Sequence, residues 1–202
     1  MLVSINPHNP QPRLIRKVVE ILRNGGIVVY PTDTYYGIGC DLMHPKAIER
    51  IYQLKRRDKN KPFSFICSDL TNISQYAKVS NYAYRTMKRL LPGPFTFILE
   101  GSKLVPKIML TKRKTAGIRV PDNAICLTLV RDLGHPIITT SAATAEGGSF
   151  HDASLIHDHY GQQVDAVIDG SIVSGEPSSV ISLIGDVPEI LRRGAGDVSL
   201  FE

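Results

Sequence analysis

The sequence predicts an α/β fold in which one domain, residues 1–202, is built on a mixed sheet flanked by helices. Three observations lead there. At 202 residues and 43% hydrophobic, the chain can bury a full core as one domain. Short apolar runs alternate with helical periodicity along its whole length. No shift in composition and no long Pro/Ser linker divides it. Several strands follow one another without a helix between, which points to a mixed rather than a parallel sheet.

Taken in order, Leu14, Ile15, Val18, Val19, Ile21 and Leu22 recur at helical spacing, and Gly25-Gly26 supplies the stop. Ile27 to Tyr30 reads as a short buried strand. Pro45 opens a second helix, with Ala47, Ile48, Ile51, Tyr52 and Leu54 on one face. Lys55 to Arg57 at its end complement the helix dipole. Phe63 to Cys67 is a strand, and Tyr82 to Leu91 a helix ended by Pro92-Gly93-Pro94. Phe95 to Leu99, Gly117 to Val120 and Ile137 to Thr140 read as strands, the last two separated by a helix from Ala124 to Leu133. Val164 to Ile168, Val180 to Ile184 and Glu189 to Leu191 complete the strands.

Charged residues make up 21% of the chain, which argues against global disorder. The net charge of +5 favours acidic partners such as nucleotides or RNA. Cys40, Cys67 and Cys126 lie far apart with no CxxC pair, which fits a reducing cytoplasm better than a disulfide framework or zinc ribbon. The N-terminal residues lack a signal-peptide pattern, and no apolar run approaches the ~20 residues that span a bilayer. A cytoplasmic protein without a membrane partner is expected.

The segment most suggestive of function is Pro31-Thr32-Asp33-Thr34-Tyr35-Tyr36-Gly37-Ile38-Gly39-Cys40-Asp41, which leaves an apolar strand through hydroxyls, a carboxylate and two glycines. Lys55-Arg56-Arg57-Asp58-Lys59-Asn60-Lys61-Pro62 then sets five cations within seven residues. Hydroxyls and glycine at a strand end beside dense positive charge suit a phosphate or carboxylate ligand. Neither a P-loop nor a G-x-G-x-x-G fingerprint is present. A nucleotide must therefore be held by scattered groups: Lys55, Arg57 and Lys61; Thr115 and Arg119; Thr139, Thr140 and Ser141; Ser178 and Ser179; Arg192 and Arg193. All fall at strand or helix ends, where loops build sites in α/β sheets. Spacing alone leaves Lys55 to Lys61 equally readable as a solvated helix end. For Arg192-Arg193, spacing alone favours the solvated reading.

His151, Asp152, His157, Asp158 and His159 form a polar cluster without a sharp ligand spacing; the stretch reads as a polar loop and helix, and no metal site is expected there. Ser141 lacks the G-x-S-x-G elbow of a serine nucleophile. The aromatics at positions 52, 63, 65, 95 and 97 recur at core spacing and read as packing.

Together these segments resemble the YrdC/YciO family of threonylcarbamoyl-adenylate synthases and their relatives, almost end to end. The resemblance rests on Pro31 to Asp41 and on Lys55-x-Arg57-x-x-x-Lys61-Pro62. It continues through Pro92-Gly93-Pro94-Phe95-Thr96, Thr115 to Pro121, and Ile190 to Gly194, in family order. It implies a twisted mixed sheet with a large positively charged cavity, and ATP, threonine and bicarbonate as substrates on the route to threonylcarbamoyl-adenosine in tRNA. It implies further that Thr34 touches the threonine, that Arg119 meets its carboxylate and that Ser179 lies near the threonyl group. Lys55, Arg57, Lys61, Thr115, Thr139, Ser141 and Arg192 would surround the nucleotide. Magnesium would be held mainly by the phosphates. No side chain is assigned as a catalytic nucleophile or base.

Three departures bring the chain closer in pattern to the YciO branch. Ser141-Ala142-Ala143 replaces Ser-Ala-Asn, Ile66 or Cys67 stands where a histidine is common, and Ser178-Ser179-Val180 replaces Ser-Thr-Val. The expected function is synthase-like. The alternatives are a non-catalytic binder of tRNA or double-stranded RNA, and a hydrolase of the threonylcarbamoyl adenylate.

Overall fold

Ten strands join into one mixed sheet in the computed structural model, which describes residues 1–55, 63–71, 73–103, 114–143 and 150–202. The strands are β1 (Leu2–Ser4), β2 (Ile27–Tyr30), β3 (Gly37–Asp41), β4 (Ser64–Ile66), β5 (Phe95–Glu100), β6 (Thr115–Arg119), β7 (Ile137–Ser141), β8 (Ala166–Asp169), β9 (Ser179–Ser182) and β10 (Glu189–Arg192). Five α-helices stand among the described residues: α1 (Pro12–Arg23), α2 (Pro45–Leu54), α3 (Asn81–Leu90), α4 (Ala124–Leu133) and α5 (Ala153–Tyr160). The strand order is β1-β8-β2-β3-β7-β4-β6-β5-β9-β10. Four neighbouring pairs are parallel (β1/β8, β2/β8, β4/β6, β5/β9) and the other five antiparallel.

The helices start and stop where local chemistry dictates. Pro12 and Pro45 occupy first turns, where a missing N–H costs nothing. Ser80, Asn123 and Asp152 cap α3, α4 and α5 by accepting from backbone N–H groups. Gly134 ends α4 in the left-handed region, at φ 91°.

Two strands depart from the sequence reading. β1 was not expected, and β3 forms from the Gly37–Asp41 part of the segment read as an exit from a strand. Glycine is a poor strand former, so propensity hides β3. The reason for glycine is tertiary: a Cβ at Gly37 would stand 2.9 Å from Tyr30 Cε2, and one at Gly39 would stand 2.6 Å from Ile137 Cγ2. The ring of Tyr30 lies over the neighbouring strand, and two glycines make room for it.

The pleat sends alternate residues to opposite faces. One face carries Ile38, Phe65, Ile138, Ile118, Phe97 and Ile181 into a core closed by α2, α3 and α5. The other face is divided. Its β1-β8-β2 side, with Ile66 and Ile137, packs under Ile15, Val18 and Leu22 of α1 and Ile125, Cys126 and Leu129 of α4. Beyond that, towards β6, β5, β9 and β10, glycines, hydroxyls and arginines replace the apolar residues, and there the site lies.

Candidate functional site

A cleft of about 290 Å³ opens on this uncovered half-face. Gly37, Ser64, Thr139 and Ser141 form one side; Thr96, Ile98, Ser178, Val180 and Arg192 form the other; Arg119 and Thr34 close one end. The register makes this set. Ser64 pairs with both Gly117 and Thr139, and Thr96 pairs with Val180, so their side chains emerge on one face.

Arg119, the last residue of β6, anchors the closed end. Its Nη2 donates to Asp33 Oδ1 and to Thr34 Oγ1, both at 2.9 Å. The Arg119 and Asp33 side chains are 13% and 11% exposed, so this pair is largely desolvated. Asp33 Oδ2 also accepts from the Asp122 N–H, and Thr32 Oγ1 accepts from the Thr34 N–H, which fixes the loop between β2 and β3. The Nε of Arg119 is buried without a hydrogen-bond partner among the described residues. The guanidinium as a whole lines the cleft, where its positive charge suits an anionic acceptor.

Arg192 comes from β10 on the opposite side. Its Nε donates to the Ser178 carbonyl at 2.9 Å and its Nη2 to Ser178 Oγ at 3.0 Å, and Ser178 Oγ also meets Thr96 Oγ1 at 2.8 Å. Burial and then the nearby Arg119 guanidinium push the Arg192 pKa below its ordinary value, with Tyr35 opposing. Two guanidiniums thus repel each other across one cleft, a strain that a bound anion relieves. Thr139 is oriented from below, since the buried Tyr30 hydroxyl lies 2.6 Å from its Oγ1.

Of the residues expected from sequence, Thr34, Arg119, Thr139, Ser141 and Arg192 come together here. Lys55 stands at the end of α2, where its ammonium donates to the Ala143 carbonyl just past β7. Thr115 opens β6 opposite Glu100, on the face of Arg119 but four residues away and outside the cleft lining. Ser179 is placed differently from expectation. It is fully buried, its hydroxyl donating to Gly196 O at 2.6 Å and accepting from Gly194 N–H. Strand alternation sends Ser179 towards Phe95 and leaves Ser178 on the cleft wall. Arg57 and Lys61 lie outside the described residues.

Ser64, Thr96 and Tyr35 were not singled out from sequence, nor was Asp33 as the partner of Arg119. Thr96 was findable, because it alternates with the core residues Phe95 and Phe97. Asp33 needed the fold, being 86 residues from Arg119. Among the described residues no group of three or more His, Cys, Asp or Glu could hold a metal ion. A separate recess of about 250 Å³ beside Cys67, Asp69, Arg131 and His135 lacks the facing guanidiniums. No described helix is long and apolar enough to cross a membrane.

A mixed sheet with a half-bare face, whose cleft is lined by two arginines and several hydroxyls, defines a YrdC-like α/β protein. The Sua5/YciO/YrdC family model, described as "Telomere recombination", matches residues 20–194, and the chain belongs to that family. It is 44% identical over 200 residues to the uncharacterized protein YciO of Escherichia coli strain K12, covering 98% of this chain and 97% of that one. The crystal structure of E. coli YciO superposes with a TM-score of 0.92 at 41% identity, over 100% and 99% of the two chains. A putative threonylcarbamoyl-AMP synthase of Methanocaldococcus jannaschii is 35% identical over 96% of this chain and 92% of its own. The structure of P. abyssi Sua5 complexed with L-threonine matches with a TM-score of 0.90 at 28% identity, over 96% of this chain and 57% of that longer one. The chain is therefore related to the threonylcarbamoyl-AMP synthases.

Proposed function

We propose that this chain binds an adenine nucleotide and threonine in the cleft and carries out threonylcarbamoyl-adenylate synthesis from ATP, threonine and bicarbonate. The observation that carries the reading is the facing pair Arg119 and Arg192, set on one hydroxyl-lined half-face. The relation to the synthases and the L-threonine bound to Sua5 support it.

In this reaction the threonine amine and bicarbonate give a carbamate with loss of water. A carbamate oxygen then attacks the α-phosphorus, and the bond to pyrophosphate breaks. No nucleophilic side chain is needed; positioning and neutralisation of phosphate charge dominate. Arg119 and Thr34 would take the threonine carboxylate and hydroxyl. Arg192, Thr139, Ser141 and Lys55 would surround the nucleotide, joined by Arg57, Lys61 and Thr115 in the fuller set. Magnesium would arrive on the phosphates and offset their charge.

Mass spectrometry after incubation with ATP, threonine, bicarbonate and magnesium tests this. Adenylate should form slowly, and Ala143→Asn should raise its rate about ten- to a hundred-fold by restoring a polar contact. Breakdown of supplied adenylate without net formation would overturn the synthase and assign the hydrolase instead, and the absence of both reactions would overturn the reading altogether.

A second reading, RNA as partner, has its own observation. The outer part of α3 exposes Arg85, Lys88 and Arg89 together with Tyr82 and Tyr84, and the helix has no acidic residue. Binding of tRNA or double-stranded RNA there should weaken steeply with salt and show little sequence preference.

A further inference from the structure

Three chain segments meet just beyond the cleft-lining Ser141. Lys55 at the end of α2 donates through Nζ to the Ala143 carbonyl. Tyr160, the last residue of α5, donates its hydroxyl to the same carbonyl at 3.0 Å. The Lys55 Nζ also lies 3.4 Å from the Tyr160 hydroxyl and 5.6 Å from the centre of its ring. Tyr160 itself is nearly buried, its ring set against His159 and Phe150. Burial raises its pKa, so the hydroxyl keeps its proton and remains a donor. None of the chemistry proposed for the cleft uses this tyrosine.

Two features of the arrangement matter. A lysine ammonium sits on a flexible four-carbon stem, and ordering it on binding costs entropy unless something orders it beforehand. The tyrosine ring forms a wall that attracts the cation and limits where it can go. The Ala143 carbonyl has two donors. When the lysine turns towards an incoming phosphate, the tyrosine still satisfies the part-buried carbonyl, so that acceptor is not left bare.

We infer that Tyr160 is a positioning residue that holds the Lys55 ammonium at the end of β7, ready for the phosphate chain of a nucleotide, and frees it by keeping the Ala143 carbonyl satisfied. This inference rests on the nucleotide reading proposed above. It also gives the backbone at position 143 a role that its alanine side chain does not supply.

Calorimetric titration of the full chain with magnesium ATP, and separately with threonine, tests the inference in a double-mutant cycle. Tyr160→Phe keeps the ring and packing and removes only the hydroxyl. It should weaken ATP binding about three- to tenfold and leave threonine binding unchanged. Lys55→Met should weaken ATP binding about tenfold or more. In the Lys55→Met background, Tyr160→Phe should then change nothing, because its effect passes through the lysine. Tyr160→Leu, which also removes the aromatic wall, should cost more than Tyr160→Phe in the Lys55 protein alone. Equal losses in both backgrounds would mean a structural role only and overturn the inference, as would full affinity in Tyr160→Phe. Failure of the unaltered protein to bind ATP would refute the nucleotide reading first, and this inference with it.

Discussion

Along β7 and β4, Ile137 and Ile66 lie beneath α1 and α4, whereas Thr139 and Ser64, two residues further along the same strands and on the same face, line an open cleft. Nothing in the backbone separates the two halves, since the hydrogen-bonded ladder runs through both. The difference is whether a helix lies above. Where one does, burial of apolar side chains stabilises the fold. Where none does, the strands carry the hydroxyls, glycines and guanidiniums that the proposed ligand would meet. On the proposed function, one sheet divides stability from binding across a single face, and substitutions in the two halves should have opposite signatures.

The largest expected effect comes from the covered half. Leu129 of α4 is fully buried against this face. Leu129→Ala should destabilise by about 2–5 kcal/mol through lost burial and the cavity left behind. Chemical denaturation would measure it, and ligand affinity of the folded fraction should not change. A large loss of affinity at full stability would break the comparison.

Arg119 is the residue at which the two roles meet. The sequence marks it as a binding residue, and its largely desolvated pairing with Asp33 adds a structural share. Arg119→Ala should abolish carboxylate binding and also cost about 1–3 kcal/mol, because Asp33 is left without its cation. Adding Asp33→Ala should recover part of the stability and none of the binding, as denaturation and threonine titration would report.

Alkaline pH probes the packed regions without mutation. Burial pushes the Cys40 and Cys67 thiols up from 9.0 to about 12, and raises Cys126 as well. The folded state therefore keeps protons that the unfolded chain releases. The stabilisation is fully present below pH 9.0 and is lost as pH rises towards 12, with a loss on the order of 1 kcal/mol per thiol near pH 10. Urea midpoints that stay flat from pH 8 to 10.5 would contradict this.

The smallest stability effect belongs to the bare half. Arg192 is exposed, and among the described residues its side chain hydrogen-bonds to Ser178. Arg192→Ala should leave stability within about 1 kcal/mol while weakening nucleotide binding. A melting temperature that collapses in this variant would place Arg192 with the core.

Much of this was legible beforehand. Helix α1 follows from the 3.6-residue recurrence of Ile15, Val18, Val19 and Leu22, all buried as that spacing requires. α4 follows from Asn123 at its start and Gly134 at its end. Strand β3 escaped because its glycines answer to the Tyr30 ring, a contact that no local pattern encodes. Ser178 and Ser179 could not be told apart either, since two adjacent serines are equivalent until the pleat gives one to the cleft and the other to the core.

By itself, then, the sequence determined the helices, most of the strands, the family and the stock of cations and hydroxyls from which a site could be built. Those depend on spacing, capping and composition, which are local. The tertiary structure alone decided which half of the sheet face stays bare, that Asp33 clamps Arg119, and that Arg119 faces Arg192. Those depend on strand order and register, which bring together residues 73 and 86 positions apart and which no window of sequence contains.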